Sequence, residues 1–262
     1  MHKCCPVVLV HGWKSQPEVW KPLVRRLEEE SFVCWNFSHT KLRDAGAEEI
    51  GRSLMDYICD MQEEYAYRGQ IDMVCHSMGA AVARYMLEVM DGVSCSVPVR
   101  NLIGIGPPNN GSSMAELFND PVHGPGILQQ LTGTFVPKTY DPATDSLVQE
   151  FRSTGPFVQK LRDAGLRSDI KYRVIVAGNA TGTPDFFPLF GGQTWTYSPG
   201  GWQMTARGDG IVSHTDSHMP GADVAVLPDD PAALSLVPSN YCHLRLPGNP
   251  EVAEQVIRFL RE

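Results

Sequence analysis

In the run Ile71-Asp72-Met73-Val74-Cys75-His76-Ser77-Met78-Gly79-Ala80-Ala81, an apolar stretch of strand character stops at Cys-His-Ser-Met-Gly, and small residues follow. A serine on a sharp strand-to-helix turn can act as a nucleophile, because its Oγ projects beyond the sheet edge. Its neighbours must be small for strand and helix to approach, and Gly79, Ala80 and Ala81 are. Cys75 stands where the G-x-S-x-G pattern has its first glycine; it is small enough to fit. A serine hydroxyl is a weak nucleophile until an adjacent base takes its proton. His243, in Asn240-Tyr241-Cys242-His243-Leu244, is the candidate base, and would pass that proton to the leaving group. Asp209, flanked by glycines in Gly208-Asp209-Gly210-Ile211-Val212, is the candidate acid that would orient the imidazole; Asp185, Asp216 and Asp223 are its rivals. The chemistry of such a set is acyl transfer through Ser77. The backbone N–H of Met78, directly after the nucleophile, is one expected oxyanion donor.

Seven further histidines compete with His243. His11 and His76 lie inside motifs and read as structural. His2, His39 and His123 have no supporting context. His214-Thr215-Asp216-Ser217-His218 spaces ligand-type residues so that His214, Asp216 and His218 could chelate zinc or calcium. A solvated polar loop is the preferred reading, and neither a metal nor a cofactor is expected. Cys75, two residues from Ser77, is expected to make the protein sensitive to bulky thiol reagents without being catalytic itself.

The elements that must position these residues alternate along the chain. Strand-like runs fall at 7–10, 32–37, 71–75, 99–105, 171–177 and 223–227. Helical patterns fall at 17–30, 45–67, 78–90 and 250–261. In the first helix Val19, Leu23 and Leu27 recur at helical spacing; in the last, Val252, Val256, Ile257 and Leu260 do. This alternation predicts an α/β fold with a mostly parallel sheet and helices on both faces. The 262 residues suit one domain spanning 1–262, with 42% apolar and 20% charged residues. A net charge of −8 argues against a nucleic-acid surface. No run approaches the roughly 18 apolar residues of a membrane span. Residues 1–5 run straight into the first strand without a signal peptide. With seven cysteines lacking regular spacing, this points to free thiols and a cytoplasmic protein, a secreted mature form remaining open. The Cys4-Cys5 pair reads as strand-edge filler.

Two stretches interrupt the alternation. Residues 112–170 join two strands through helical pieces and the Pro/Gly-rich His123-Gly124-Pro125-Gly126, which predicts a cap or lid insertion. Residues 179–207 form an aromatic-rich loop insertion in which 193–202 could be a hairpin over the site mouth.

Taken in order, these motifs resemble the lipase and carboxylesterase branch of the α/β-hydrolase fold, in particular bacterial triacylglycerol-lipase-like proteins. Val7-Val8-Leu9-Val10-His11-Gly12-Trp13 is similar to that family's first strand and oxyanion loop, and Val74 to Gly79 to its nucleophile elbow. Gly106-Pro107-Pro108-Asn109-Asn110-Gly111-Ser112 resembles the loop after the following strand, and 145–161 a cap segment. The 208–212 and 243–246 stretches resemble the acid and histidine loops, in the family's order of nucleophile, acid, histidine. The resemblance implies a second oxyanion donor, the N–H of Trp13. It also implies a serine ester hydrolase acting on a small-molecule or lipid ester, without stable membrane insertion, contact with a lipid interface being left open. Acyl transfer to an alcohol and thioester cleavage use the same parts, and a non-catalytic binding protein would have lost one of them. Nothing in the sequence sets the oligomeric state.

Overall fold

A computed structural model describes residues 5–42, 44–198 and 200–262; His2 and Cys4 lie outside the described residues. The chain runs β1 (Val7–Val10), α1 (Lys21–Glu29), β2 (Cys34–Phe37), α2 (Ala47–Glu64), β3 (Ile71–His76), α3 (Met78–Arg84) and β4 (Val99–Ile105). It continues through α4 (Ser113–Phe118), α5 (Gly124–Leu131), α6 (Ser146–Glu150) and α7 (Pro156–Ala164) to β5 (Lys171–Ala177). Then come β6 (Thr194–Ser198), β7 (Gly201–Thr205), α8 (His214–Ser217), β8 (Asp223–Leu227) and α9 (Pro250–Arg261). Six strands form one parallel sheet in the order β2-β1-β3-β4-β5-β8, and β6 and β7 pair as a separate antiparallel hairpin.

A parallel sheet needs both faces covered, so its strands carry unbroken apolar runs. In β1 and β3 every residue is buried. The covering helices show why their sequences fold as they do. In α2, Ile50, Leu54 and Ile58 recur every four residues and are buried, one stripe against the sheet. In α9, Val252, Val256, Ile257 and Leu260 do the same, and the Asn249 side chain caps the helix by accepting from the N–H groups of Glu251 and Val252. The helix expected over 17–30 divides into a 3₁₀ turn, Pro17–Trp20, and α1, with Pro22 near the start of α1. Proline lacks the N–H that would continue one helix across that point, yet suits a first turn. The helix expected over 78–90 is α3 followed by a π-helical stretch, Tyr85–Met90. Among the described residues no helix is long and apolar enough to cross a membrane.

Register decides where chemistry can collect. Val10 pairs with Cys75, Cys75 with Gly104, and Ile105 with Ile175, so β1, β3, β4 and β5 end side by side. The chain leaves β1 for β2 on one side and reaches β3 on the other, and loops diverging from such a point open a crevice at the carboxyl edge.

Candidate active site

Ser77 follows β3 directly, with φ 55° and ψ −130°. A non-glycine residue with positive φ is strained, and such strain is held only where packing imposes it. Packing does so here. A Cβ at Gly79 would lie 2.6 Å from the carbonyl oxygens of both Val10 and His11, so only glycine lets α3 approach β1 this closely. A Cβ at Gly12 would lie 3.0 Å from Ser77 Cβ, so the loop after β1 passes against the nucleophile turn.

His243 Nε2 lies 2.9 Å from Ser77 Oγ, and His243 Nδ1 lies 2.7 Å from Asp209 Oδ2. A carboxylate only accepts, so Nδ1 carries the proton toward Asp209 and Nε2 accepts from the Ser77 hydroxyl. Both oxygens of the Asp209 carboxylate are engaged: Oδ1 accepts from the N–H groups of Ile211 and Val212 at 3.0 and 2.7 Å. The His243 N–H also donates to the Asp209 carbonyl at 2.8 Å, tying the two loops together. Asp209 and His243 are buried, 1% and 2% exposed, so water competes little for these bonds. The structure therefore brings together the three residues singled out as nucleophile, base and acid. Asp223 lies on β8 and Asp216 on α8, each engaged elsewhere, and the Asp185 carboxylate forms no bond to a histidine among the described residues.

Met78 is the first residue of α3, where an N–H has no intrahelical acceptor. The Trp13 N–H likewise donates to no group among the described residues. Both residues border the pocket that opens beside Ser77, with about 490 Å³ of empty space, part of it open to solvent. Its wall is mostly apolar, with Met114, Ala115 and Phe118 from α4, Val148 from α6, and Ile211 and Val212 beyond the acid.

Gly106, Thr194 and His76, the last of them read as structural from its motif, support the relay. Gly106 has φ +55°, and a Cβ there would lie 2.7 Å from Asp209 Oδ2 and 3.2 Å from His243 Nδ1. Thr194 Oγ1 accepts from the Gly210 N–H at 2.8 Å and steadies the acid loop. His76 Nε2–H donates to the His243 carbonyl at 3.1 Å. Burial, and secondly the nearby His243, hold the His76 imidazole neutral, its pKa well below the ordinary value.

Three expectations change. The hairpin forms, over β6 and β7 rather than 193–202, but no residue of 179–207 lines the pocket beside Ser77. It braces instead: the Trp202 indole donates to Asp120 at 2.8 Å and the Tyr197 N–H to Ser113 Oγ at 3.0 Å. The 214–218 stretch is not the solvated loop preferred for it, because 214–217 form α8 with Asp216 and Ser217 buried, and the residues of its less favoured chelating reading are engaged apart. His214 Nε2–H donates to the Ala177 carbonyl, Asp216 is buried against Ser113 and Ser213, His218 is exposed, and no metal-binding cluster exists among the described residues. Cys75 is 0% exposed and burial raises its thiol pKa, so a bulky reagent has neither a path nor a thiolate to attack.

Comparison with known proteins agrees with this architecture. A model of the alpha/beta hydrolase family matches residues 7–237. The fold is similar to a lipase from Bacillus licheniformis in its mature form, with TM-score 0.67 and 17% identity, over 99% of this chain and 93% of that one. It is similar to a metagenomic carboxyl esterase, with TM-score 0.64 and 15% identity, over 100% of this chain and 76% of that one. It is also similar to a phospholipase from Legionella pneumophila, with TM-score 0.64 and 14% identity, over 99% of this chain and 60% of that one. No curated protein matches the sequence. With its parallel six-stranded sheet and a family match over most of its length, the chain belongs to the alpha/beta hydrolase family.

Proposed function

We propose that this hydrolase is a serine carboxylic ester hydrolase working through an acyl-enzyme on Ser77. The observation that carries the proposal is the continuous relay from Ser77 Oγ through His243, 2.9 Å away, to Asp209, 2.7 Å further on. In this mechanism Ser77 Oγ attacks the ester carbonyl and His243 Nε2 takes its proton. The oxyanion accepts hydrogen bonds from the N–H groups of Met78 and Trp13, each worth roughly 3 kcal/mol in the transition state. His243 then gives its proton to the departing alcohol. Water then gives a proton to His243 Nε2 and attacks the acyl carbon, and His243 returns the proton to Ser77 Oγ as the bond to it breaks and the acid leaves. Asp209 holds the imidazole tautomer throughout.

The small, mostly apolar pocket beside Ser77 favours a short acyl chain, which supports a carboxylesterase reading; small lipid esters fit the same description. The segment 112–170 supplies much of that wall, which supports its role as a cap over the substrate. The test is hydrolysis of p-nitrophenyl butyrate and p-nitrophenyl palmitate, with a fluorophosphonate label located by mass spectrometry. The expected result is label on Ser77, faster turnover of the butyrate, and loss of several orders of magnitude in Ser77→Ala. Folded protein that takes no label and turns over neither ester would overturn the proposal.

A further inference from the structure

The proposed oxyanion donor Trp13 is held by its side chain, and among the described residues every ring or polar group that holds it except Lys14 comes from the 112–170 segment. The Trp13 indole N–H donates to Asp145 Oδ2 at 3.2 Å. Its ring packs against Phe135 at 5.5 Å, Tyr140 at 5.7 Å and Phe118 at 6.3 Å between centroids. The same Asp145 oxygen accepts from the Tyr140 hydroxyl at 3.2 Å and from the Lys14 ammonium at 3.1 Å. Lys14 Nζ also lies 4.8 Å from the Trp13 ring and 5.0 Å from the Tyr140 ring. Asp145 Oδ1 accepts from the Val148 N–H at 3.3 Å at the start of α6, whose Leu147 and Val148 border the pocket.

One carboxylate thus gathers two residues of the oxyanion loop and the segment that walls the pocket. Its side chain is only 10% exposed, so its charge-assisted bonds are little weakened by water. The loop it holds has no slack on the other side, because Gly12 lies against Ser77. A donor misplaced by a fraction of an ångström stabilises an oxyanion poorly.

We propose that Asp145 is a positioning residue: by clamping Trp13 and Lys14 it aims the Trp13 N–H at the ester carbonyl, so the oxyanion hole is complete only when the segment around 140–148 is seated. This rests on the ester-hydrolase function proposed above. Asp145→Asn keeps an amide oxygen to accept from the Val148 N–H and so keeps α6 and the pocket wall beside it, and its loss falls on the transition state and not on substrate binding.

The test compares wild type with Asp145→Asn, Asp145→Ala and Trp13→Phe. The Trp13→Phe change keeps a ring but removes the indole donor. Three quantities are read: kcat and KM for p-nitrophenyl butyrate, and Ki for an alkylboronic acid, which Ser77 converts to a tetrahedral anion. For Asp145→Asn the expected result is a fall of about tenfold in kcat with KM within about twofold, and a Ki raised about tenfold; Trp13→Phe, which also alters the pocket wall, should show the same rise in Ki. The Asp145→Asn, Trp13→Phe double variant should lose little more than either single one, because both cut the same link. A lower melting temperature with kcat and Ki unchanged, or a change in KM alone, overturns the clamp. If Asp145→Ala does not fold, Asp145→Asn decides. Wild type that takes no fluorophosphonate on Ser77 overturns the ester-hydrolase function and the clamp with it; labelled wild type with unaltered variants overturns the clamp alone.

Discussion

Gly106 shows how little room the relay leaves. Its φ of +55° is a region L side chains rarely occupy, and a Cβ there would press on Asp209 Oδ2 at 2.7 Å. A Gly106→Ala change therefore meets both backbone strain, roughly 1–2 kcal/mol, and a clash with the acid and the imidazole. The acid must move, because the backbone of β4 is fixed by β3 and β5 on either side. We expect kcat to fall about a hundredfold, a displacement of order 1 Å being enough. The folded state should survive, with a modest drop in melting temperature. A Gly106→Ala protein with wild-type kcat would mean that the Asp209–His243 contact is not needed for turnover. Cys75 gives a second expectation at this scale. Being fully buried with a raised thiol pKa, it should stay unlabelled by maleimide in the folded protein, while the exposed Cys59 and Cys95 react. Mass-spectrometric mapping of the adducts checks this, and a Cys75 adduct formed before unfolding would contradict the packing around the elbow.

At the scale of elements, the informative join is between α4 and α8. Ser113 donates through its hydroxyl to Asp216 Oδ1 at 2.7 Å and through its N–H to Oδ2 at 3.1 Å. Asn110 adds side-chain bonds to the carbonyls of Thr215 and His218. The start of the 112–170 segment is thus fastened to the turn that follows the Asp209 loop. Asp216→Ala would leave the buried Ser113 groups without an acceptor, at roughly 1–3 kcal/mol. Thermal unfolding should register that loss, and a variant as stable as wild type would show that the join carries no weight. This join also explains what the sequence could and could not reveal. The strands and the α2 and α9 stripes were legible because each depends on periodicity within one short segment. Ser77, His243 and Asp209 were legible because glycines and apolar runs mark their loops locally. Asp216 looked like a metal ligand or a rival acid because its true partner, Ser113, is 103 residues away. The hairpin was visible as a hairpin, but Trp202 meets Asp120 across 82 residues, so its bracing role was not. Gly106 and Asp145 matter only through what folding places beside them.

At the scale of the whole molecule, the buried titratable groups set an acid limit on the fold. Burial, then the nearby His39, lowers the pKa of His11 from 6.5 to about 4. Burial also lowers His39, and holds His76 well below its ordinary value. For these groups the unfolded chain takes up the proton first. Their contribution is intact above about pH 6.5 and is lost as pH falls toward the folded-state value, for His11 by about 3 kcal/mol when complete. Asp216 works the other way. Burial raises its pKa from 3.8 to about 6, so the folded state binds the proton more tightly and gains stability as pH falls from about 6 toward 3.8. Burial raises Glu88 and Glu150 in the same sense as Asp216, and lowers His214 in the same sense as His11, His39 and His76, so four histidines oppose three carboxyls. Stability should therefore decline as pH falls from 7 to 5, the decline starting near pH 6.5, before Asp216 begins to oppose it near pH 6. Asp216→Asn removes the opposing group, so its acid limb should be steeper than that of wild type, whatever its stability at pH 7. Melting temperatures at half-unit steps of pH for both proteins measure this. Parallel curves would show that Asp216 titrates as an ordinary carboxyl, and a flat wild-type curve from pH 7 to pH 5 would show that the buried histidines are hydrated enough to charge within the fold.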